Sequence, residues 1–332
     1  MKKRTKNSIT TAEFVQAWHQ CQRSPKLVAQ YFGINERRVF EKRNEIFGKD
    51  KVYLESKKVG VRLKKPPKEL VQRYELDIDD GTIIVFSDAH YFPNETPRAH
   101  KVLLKLIKEL QPKVIVANGD ILDGGSISRF GASGYSTPPN LKDELEWLQK
   151  CLEEIEDVAP KGCILHRTIG NHDLRFDKRL ATVAPEYDGI AGMRLKDHLP
   201  KWEESMSLMV NKTSKTPTMI KHRPPSGGQH STYQSTLKAG TNIICGHLHK
   251  LMIYPWVTYY EAINDIRRYG VDTGTLADWK ESQSFGYAED NPLPWQSGFV
   301  VLTFRDEIML QPELVEVHDF GAVFRGEVIS YE

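Results

Sequence analysis

Five short segments carry residue types that bind metal ions or move protons, and each follows an apolar run. Asp88-Ala89-His90 comes after TIIVFS, and Gly119-Asp120-Ile121-Leu122-Asp123 comes after KVIVAN. Gly170-Asn171-His172-Asp173 closes CILHRTI, His222 closes TPTMIK, and Gly246-His247-Leu248-His249 closes TNIIC. Carboxylate and amide oxygens mix with imidazole nitrogens, and no thiolate motif joins them. That donor set suits manganese, iron, zinc or magnesium better than a soft-ligand metal. Two histidines at i and i+2 just after a strand can aim into one cavity, and the glycine before them permits a tight backbone. Any one of these segments alone reads as an ordinary turn. Five in series, each behind a strand, predict a single site at the carboxyl ends of strands.

The elements that must position them alternate strand, loop and helix from residue 74 onward. PRAHKVLLKLIKEL and NLKDELEWLQKCLEEIE read as helices, each leading into an apolar strand, and a further helix is expected near STYQSTLK. This alternation predicts an α/β sandwich with a largely buried sheet. YELDI and TIIVFS flank Asp79-Asp80-Gly81 and predict a hairpin there. GFVVLTFR, IMLQPELVEVHDF and VFRGEVIS are strand-like and are expected to complete a second sheet.

The series DAH, GDILD, GNHD, a lone histidine and GHLH resembles the calcineurin-like metallophosphoesterase superfamily, over about residues 82–304. VDTGTL at 271–276 resembles the strand and turn that follow the last histidine motif. The resemblance implies a β-sandwich flanked by helices and a centre of two divalent metal ions, manganese foremost. Asp88, His90 and His249 would hold one ion, Asn171, His222 and His247 the other, and Asp120 would bridge them. A hydroxide shared by the two ions would attack phosphorus. His172 would be the acid beside the leaving oxygen, oriented by Asp173, with Asp123 behind the ligands. His230, in RPPSGGQHS, rivals His222 for the metal; His222 is preferred because it ends an apolar strand. Arg129 and Arg175 follow metal motifs closely and could brace phosphate oxygens.

Residues 8–47 read as three short helices: Thr10 and Glu13 form a capping box, Ser24-Pro25 opens a second helix, and Gly33 with Asn35 separates the second from the third. Ala29, Gly33 and Val39 resemble the helix-turn-helix family, with Leu27, Val28, Ile34 and Phe40 filling its core. The resemblance implies a recognition helix whose Arg37, Arg38, Lys42 and Arg43 contact nucleic acid, and, by analogy alone, a homodimer. A basic bundle used for protein contact is the other reading. The expected organisation is an all-α helix-turn-helix-like domain at 1–48, a basic linker at 49–73 and the phosphoesterase domain at 74–332.

Charge supports that division. Residues 1–73 carry 19 Lys and Arg against 7 Asp and Glu, whereas the remainder carries 27 against 37. A basic head on an acidic body points to a polyanion partner for the head. Four scattered cysteines without a CxxC pair fit a reducing, cytoplasmic setting, and no apolar run is long enough to span a membrane. The expected activity is hydrolysis of phosphate esters in nucleic acid, by a nuclease or a DNA end-processing enzyme. GDILDGG departs from the GDxVDRG of protein phosphatases. The alternatives are a small-molecule phosphodiesterase or pyrophosphatase, a protein phosphatase, or a non-catalytic DNA-binding scaffold.

Overall fold

The computed structural model describes residues 9–21, 24–49, 71–129, 138–260, 263–278 and 294–332. The chain divides into two compact units, Met1–Lys65 and Pro66–Glu332. Most of the segment expected to be a basic linker lies outside the described residues.

The first unit contains α1 (Thr11–Gln20), α2 (Pro25–Phe32) and α3 (Glu36–Lys49). The Thr10 side chain accepts the Glu13 N–H, and the Glu13 carboxylate accepts the Thr10 N–H, so two orphan donors are satisfied reciprocally. Ser24 caps α2, and Gly33 ends it with φ 65° in the left-handed region. Asn35 Oδ1 accepts the Arg38 N–H at 3.0 Å to start α3. Phe14, Trp18, Val28, Phe32, Val39 and Ile46 form the core. Leu27 and Phe40, expected inside, are 46% and 42% exposed. The reason is helical phase: Val28, Ala29 and Phe32 face inward on α2, and Val39 and Ile46 on α3, which turns their immediate neighbours outward.

The second unit begins with β1 (Tyr74–Leu76), β2 (Gly81–Phe86), α4 (Arg98–Leu110), β3 (Val114–Asn118), α5 (Leu141–Val158), β4 (Ile164–Thr168) and α6 (Asp173–Val183). It continues through β5 (Glu203–Ser205), β6 (Leu208–Val210), β7 (Thr218–Lys221), α7 (Ser231–Ala239), β8 (Asn242–Cys245), β9 (Leu251–Tyr260) and β10 (Ile263–Thr273). The last strands are β11 (Gly298–Arg305), β12 (Ile308–Met309), β13 (Glu313–His318), β14 (Gly321–Phe324) and β15 (Glu327–Ile329).

Among the described residues these strands form a six-stranded sheet, β1-β6-β7-β8-β10-β9, and a nine-stranded one, β15-β14-β13-β11-β2-β3-β4-β5, with β12 on β11. Alternate residues of β2 serve two cores, as a period of two requires. Ile83 and Val85 meet Ile220, Ile244 and Val271 between the sheets. Ile84 and Phe86 pack against Leu103 and Leu106 of α4, in a core shared with Leu148 and Leu152 of α5. Burial on both faces explains the unbroken apolar runs in the sequence.

Two expectations about the sheets are corrected. β1 does not form a hairpin with β2 but pairs in parallel with β6, so the Asp79–Gly81 turn carries the chain from one sheet to the other. The C-terminal strands extend the sheet of β2, β3 and β4, while β7 and β8 belong to the other. A lone β-bulge or turn reads locally; strand partnership depends on contacts far along the chain.

Candidate metal centre and active site

The parallel strands β2, β3 and β4 deliver Asp88, Asp120 and Asn171 to one edge of the larger sheet. In the smaller sheet the parallel pair β7 and β8 delivers His222 and the 246–249 segment. Backbone bonds zip these loops together: the Asp88 N–H donates to Gly119 O at 2.9 Å, His90 N–H to Asp120 O at 3.1 Å, and Gly246 N–H to His222 O at 3.0 Å. Across the two sheets, the His247 N–H donates to Asp88 Oδ2 at 2.9 Å.

The backbone here is unusual. Asp88, His90, Asp120, His247 and His249 all have positive φ, between 41° and 76°. Non-glycine residues adopt that region rarely, and clusters of such residues mark functional sites. Two glycines are required by closeness. A Cβ on Gly246 would lie 2.6 Å from Asp88 Oδ2, and one on Gly170 would lie 2.1 Å from Asp120 Oδ1. This is why glycine precedes the histidine pair.

The side chains fall into overlapping clusters of potential ligand atoms: Asp88, His90 and His249; Asp120, His222 and His247; and His90, Asp123 and His172. Within the first, Asp88 Oδ1 is 3.2 Å from His249 Nε2 and 4.0 Å from His90 Nε2. Its other oxygen is occupied by the Ser87 hydroxyl and the His247 N–H, so Oδ1 is the one directed at the imidazoles. In the second, Asp120 Oδ2 is 3.0 Å from His222 Nε2, and the His222 and His247 rings pack 5.3 Å apart. His222 Nδ1 donates to Asn118 O at 2.8 Å, which leaves Nε2 as the nitrogen facing Asp120.

These residues fit a pair of cations. Asp88, His90, Asp120, His222 and His249 are all buried, and Asp88 Oδ1 and His222 Nε2 lack a hydrogen-bond partner. Burial opposes ionisation of Asp88 and Asp120, yet the imidazoles around them outweigh it, and both carboxyls are held below their ordinary value. Burial likewise opposes charge on His222, but Asp120 and Asp88 carry its pKa up to about 10. A pocket that holds a proton so firmly has the field a cation needs.

His222, not His230, belongs to this centre: His230 is exposed at the N-terminus of α7, and none of the three clusters includes it. Asn171 Oδ1 accepts from Arg223 Nε at 3.2 Å.

Asp173 does not orient His172 and is corrected. Its buried carboxylate accepts the N–H groups of Asp120, Ile121, Leu122 and Gly170 at 2.9–3.2 Å, bracing the loop after β3 against the turn after β4. Asp123 takes the expected position instead, with Oδ1 2.9 Å from His172 Nδ1 and 3.1 Å from His90 Nδ1. Both rings therefore present Nε2 to the centre, with His172 Nε2 4.0 Å from Asp120 Oδ2. Burial works to lower the His172 pKa, but the Asp123 hydrogen bond and the Asp120 charge raise it. Arg175 donates to Asp123 O at 2.7 Å and lies 3.0 Å from His172 Nε2. Arg129 is exposed.

On α3, the four basic residues separate. Arg37 and Arg38 are exposed, with Arg37 3.3 Å from Glu41. Lys42 is only 9% exposed and Arg43 lies over the Trp18 ring at 5.7 Å, so neither presents the open face expected of it. Lys42 follows Val39 by three residues and precedes Ile46 by four, which puts it on the inward stripe.

Residues 81–283 match the family model described as calcineurin-like phosphoesterase. The chain belongs to that family. As a calcineurin-like phosphoesterase it is a metal-dependent hydrolase of phosphate esters, and its clustered ligand-type residues suit divalent metals. This phosphoesterase is similar to the Gene 54 proteins of Mycobacterium phages L5 and D29, at 27% and 26% identity over 247 and 245 residues, covering 71% of this chain and 93% of each relative. Among solved structures, Vps29 from Entamoeba histolytica in complex with Zn2+ aligns with a TM-score of 0.38 and 14% identity, over 76% of this chain and 99% of its own. A dimetal phosphatase from Danio rerio aligns with a TM-score of 0.34 and 8% identity, over 71% and 99%. No helix among the described residues is long and apolar enough to cross a membrane.

Two residues of this site carry no motif. Ser87 donates to Asp88 Oδ2 at 2.5 Å and Arg223 reaches Asn171. The only sequence signal for either is adjacency to a ligand-type residue at a strand end.

Proposed function

We propose that this phosphoesterase hydrolyses phosphodiester bonds in nucleic acid, as a nuclease or end-processing enzyme. Asp88, His90 and His249 would hold one divalent cation, Asn171, His222 and His247 the other, and Asp120 would lie between them. The observation that carries the assignment is the convergence of buried carboxylates and imidazoles from both sheets, with Asp88 Oδ1 and His222 Nε2 left without hydrogen-bond partners. When bound, two such cations supply Lewis acidity to a phosphoryl group and to water.

The chain's own residues handle the leaving group. His172 Nε2 faces the centre while Asp123 holds Nδ1, so Nε2 is the nitrogen placed to deliver a proton once it is protonated in exchange for its contact with Arg175. Against burial and the nearby Arg175, the Asp123 hydrogen bond and the Asp120 charge raise the His172 pKa, which favours the protonated form that a departing alkoxide needs. Support for a nucleic-acid substrate comes from the basic first unit, where exposed Arg37 and Arg38 sit on the third helix of a helix-turn-helix-like bundle. Manganese is the first cation to test.

The experiment reloads metal-free protein with Mn(II), then measures hydrolysis of an aryl phosphodiester, of DNA ends, gaps and single strands, of RNA, and of free nucleotides. Cleavage of a polynucleotide at least comparable to that of nucleotides is expected, with binding that weakens steeply in salt. Turnover confined to nucleotides or the aryl ester would overturn the nucleic-acid reading. Absence of turnover with every divalent cation would favour a scaffold.

A further inference from the structure

Arg223 is the residue in this centre whose chemistry has not been used. It directly follows His222 at the end of β7, is exposed, and places Nε 3.2 Å from Asn171 Oδ1. Its charge also acts on the neighbouring His247. A guanidinium has five N–H donors in a planar fork. Among the described residues its two terminal nitrogens form no hydrogen bond. Arg175 differs, since its terminal nitrogens are already engaged by Asp123 O and His172 Nε2.

The loop carrying Arg223 is stiffened at both ends. Pro224 and Pro225 follow it and fix their own φ angles. Farther along, Lys250 Nζ donates to Gly228 O at 2.9 Å and Gln229 O at 3.2 Å, and Lys250 itself is buried directly after His249. Arg223 is thus an exposed cation beside Asn171 on a fastened loop, with Nε on Asn171 and, among the described residues, two terminal nitrogens that donate to no protein group.

We infer that Arg223 is a substrate-binding residue whose terminal nitrogens grip non-bridging oxygens of the phosphate held at the centre. The inference rests on the phosphoesterase reading of this site and is independent of whether the substrate is a polynucleotide. Its planar fork matches two phosphate oxygens at once, a geometry lysine cannot reproduce. The contact with Asn171 ties the fork to a residue of the centre, so phosphate and cation would be held in register.

The test uses full-length protein loaded with Mn(II), with inorganic phosphate as the probe in calorimetry, and compares R223Q and R223K with the parent. Metal content is measured in parallel, along with kcat and KM for an aryl phosphodiester. R223Q should keep both metals, bind phosphate about ten- to a hundredfold more weakly, and raise KM more than it lowers kcat, as expected for loss of a charge-assisted bond. R223K should recover part of the phosphate affinity. Unchanged phosphate affinity in R223Q overturns the inference. So does loss of metal together with phosphate, which would make Arg223 a holder of Asn171 instead. Should polynucleotides prove not to be substrates, the phosphate titration still reads Arg223 alone.

Discussion

The two units of this chain use charge in opposite ways. In the phosphoesterase unit, Asp88, Asp120, His90 and His222 are buried, with Asp88, Asp120 and His90 held in left-handed backbone, and each charge is answered by a specific neighbour a few ångströms away. In the helical unit the cations of α3 stand at the surface or turn back on the bundle, and Arg37 is paired with Glu41. The lesson is about cost. A buried carboxylate survives only where geometry compensates its desolvation, so its place reports a task. An exposed arginine costs almost nothing, and its residue type alone cannot report one. Within a single helix, Lys42 and Arg38 look equivalent in sequence yet face different surroundings.

That contrast can be broken or sharpened by substitution. The largest effect is expected for Asp120→Ala, which should drop metal content and reduce turnover by at least about a thousandfold, since cation stabilisation of the transferred group is worth several kcal/mol. Retention of both metals, measured by elemental analysis, would refute the placement of Asp120 between them. His172→Ala should keep its metals and lose about a hundred- to ten-thousandfold in kcat. Esters with poor leaving groups should suffer most, and equal slowing across a leaving-group series would exclude the acid role.

A paired test follows from the correction at Asp173. Asp123→Asn should cost about ten- to a hundredfold in activity through loss of the partner of His90 and His172. Asp173→Ala should instead lower stability by roughly 2–4 kcal/mol, because four N–H groups lose a charged acceptor. Urea denaturation and kcat measured on both variants separate the two roles, and an identical profile would show that they act as one unit. The smallest effect belongs to the helical unit. Arg37→Ala with Arg38→Ala should reduce the salt dependence of DNA binding by about two counterions, as read from log K against log salt. Lys42→Met should leave that slope unchanged.

Much of the phosphoesterase unit is legible in sequence because each candidate ligand segment is announced by the strand that carries it. TIIVFS, KVIVAN and TNIIC become β2, β3 and β8, and the residues just beyond them reach one edge. His222 is distinguishable from His230 for the same reason: one ends a strand and the other opens a helix. What stays hidden is nonlocal. The sheet to which β7 or β11 belongs depends on pairing with strands far along the chain. The exchange of roles between Asp123 and Asp173 depends on which way two carboxylates turn from adjacent loops. Sequence adjacency favours Asp173 beside His172, whereas the helix start at Asp173 points its side chain back at backbone donors. The face of α3 that holds Lys42 is legible from Val39 and Ile46 at helical spacing, although a lysine by type belongs outside.

The carboxylate of Asp173 joins two loops at a single clasp. The loops that carry His172 and its Asp123 partner are therefore tied to each other, whatever happens elsewhere at the rim. Residues 223–230 are fastened separately, through Lys250. Substitutions can therefore accumulate in that second loop while the spacing of His172 and Asp123 is inherited intact.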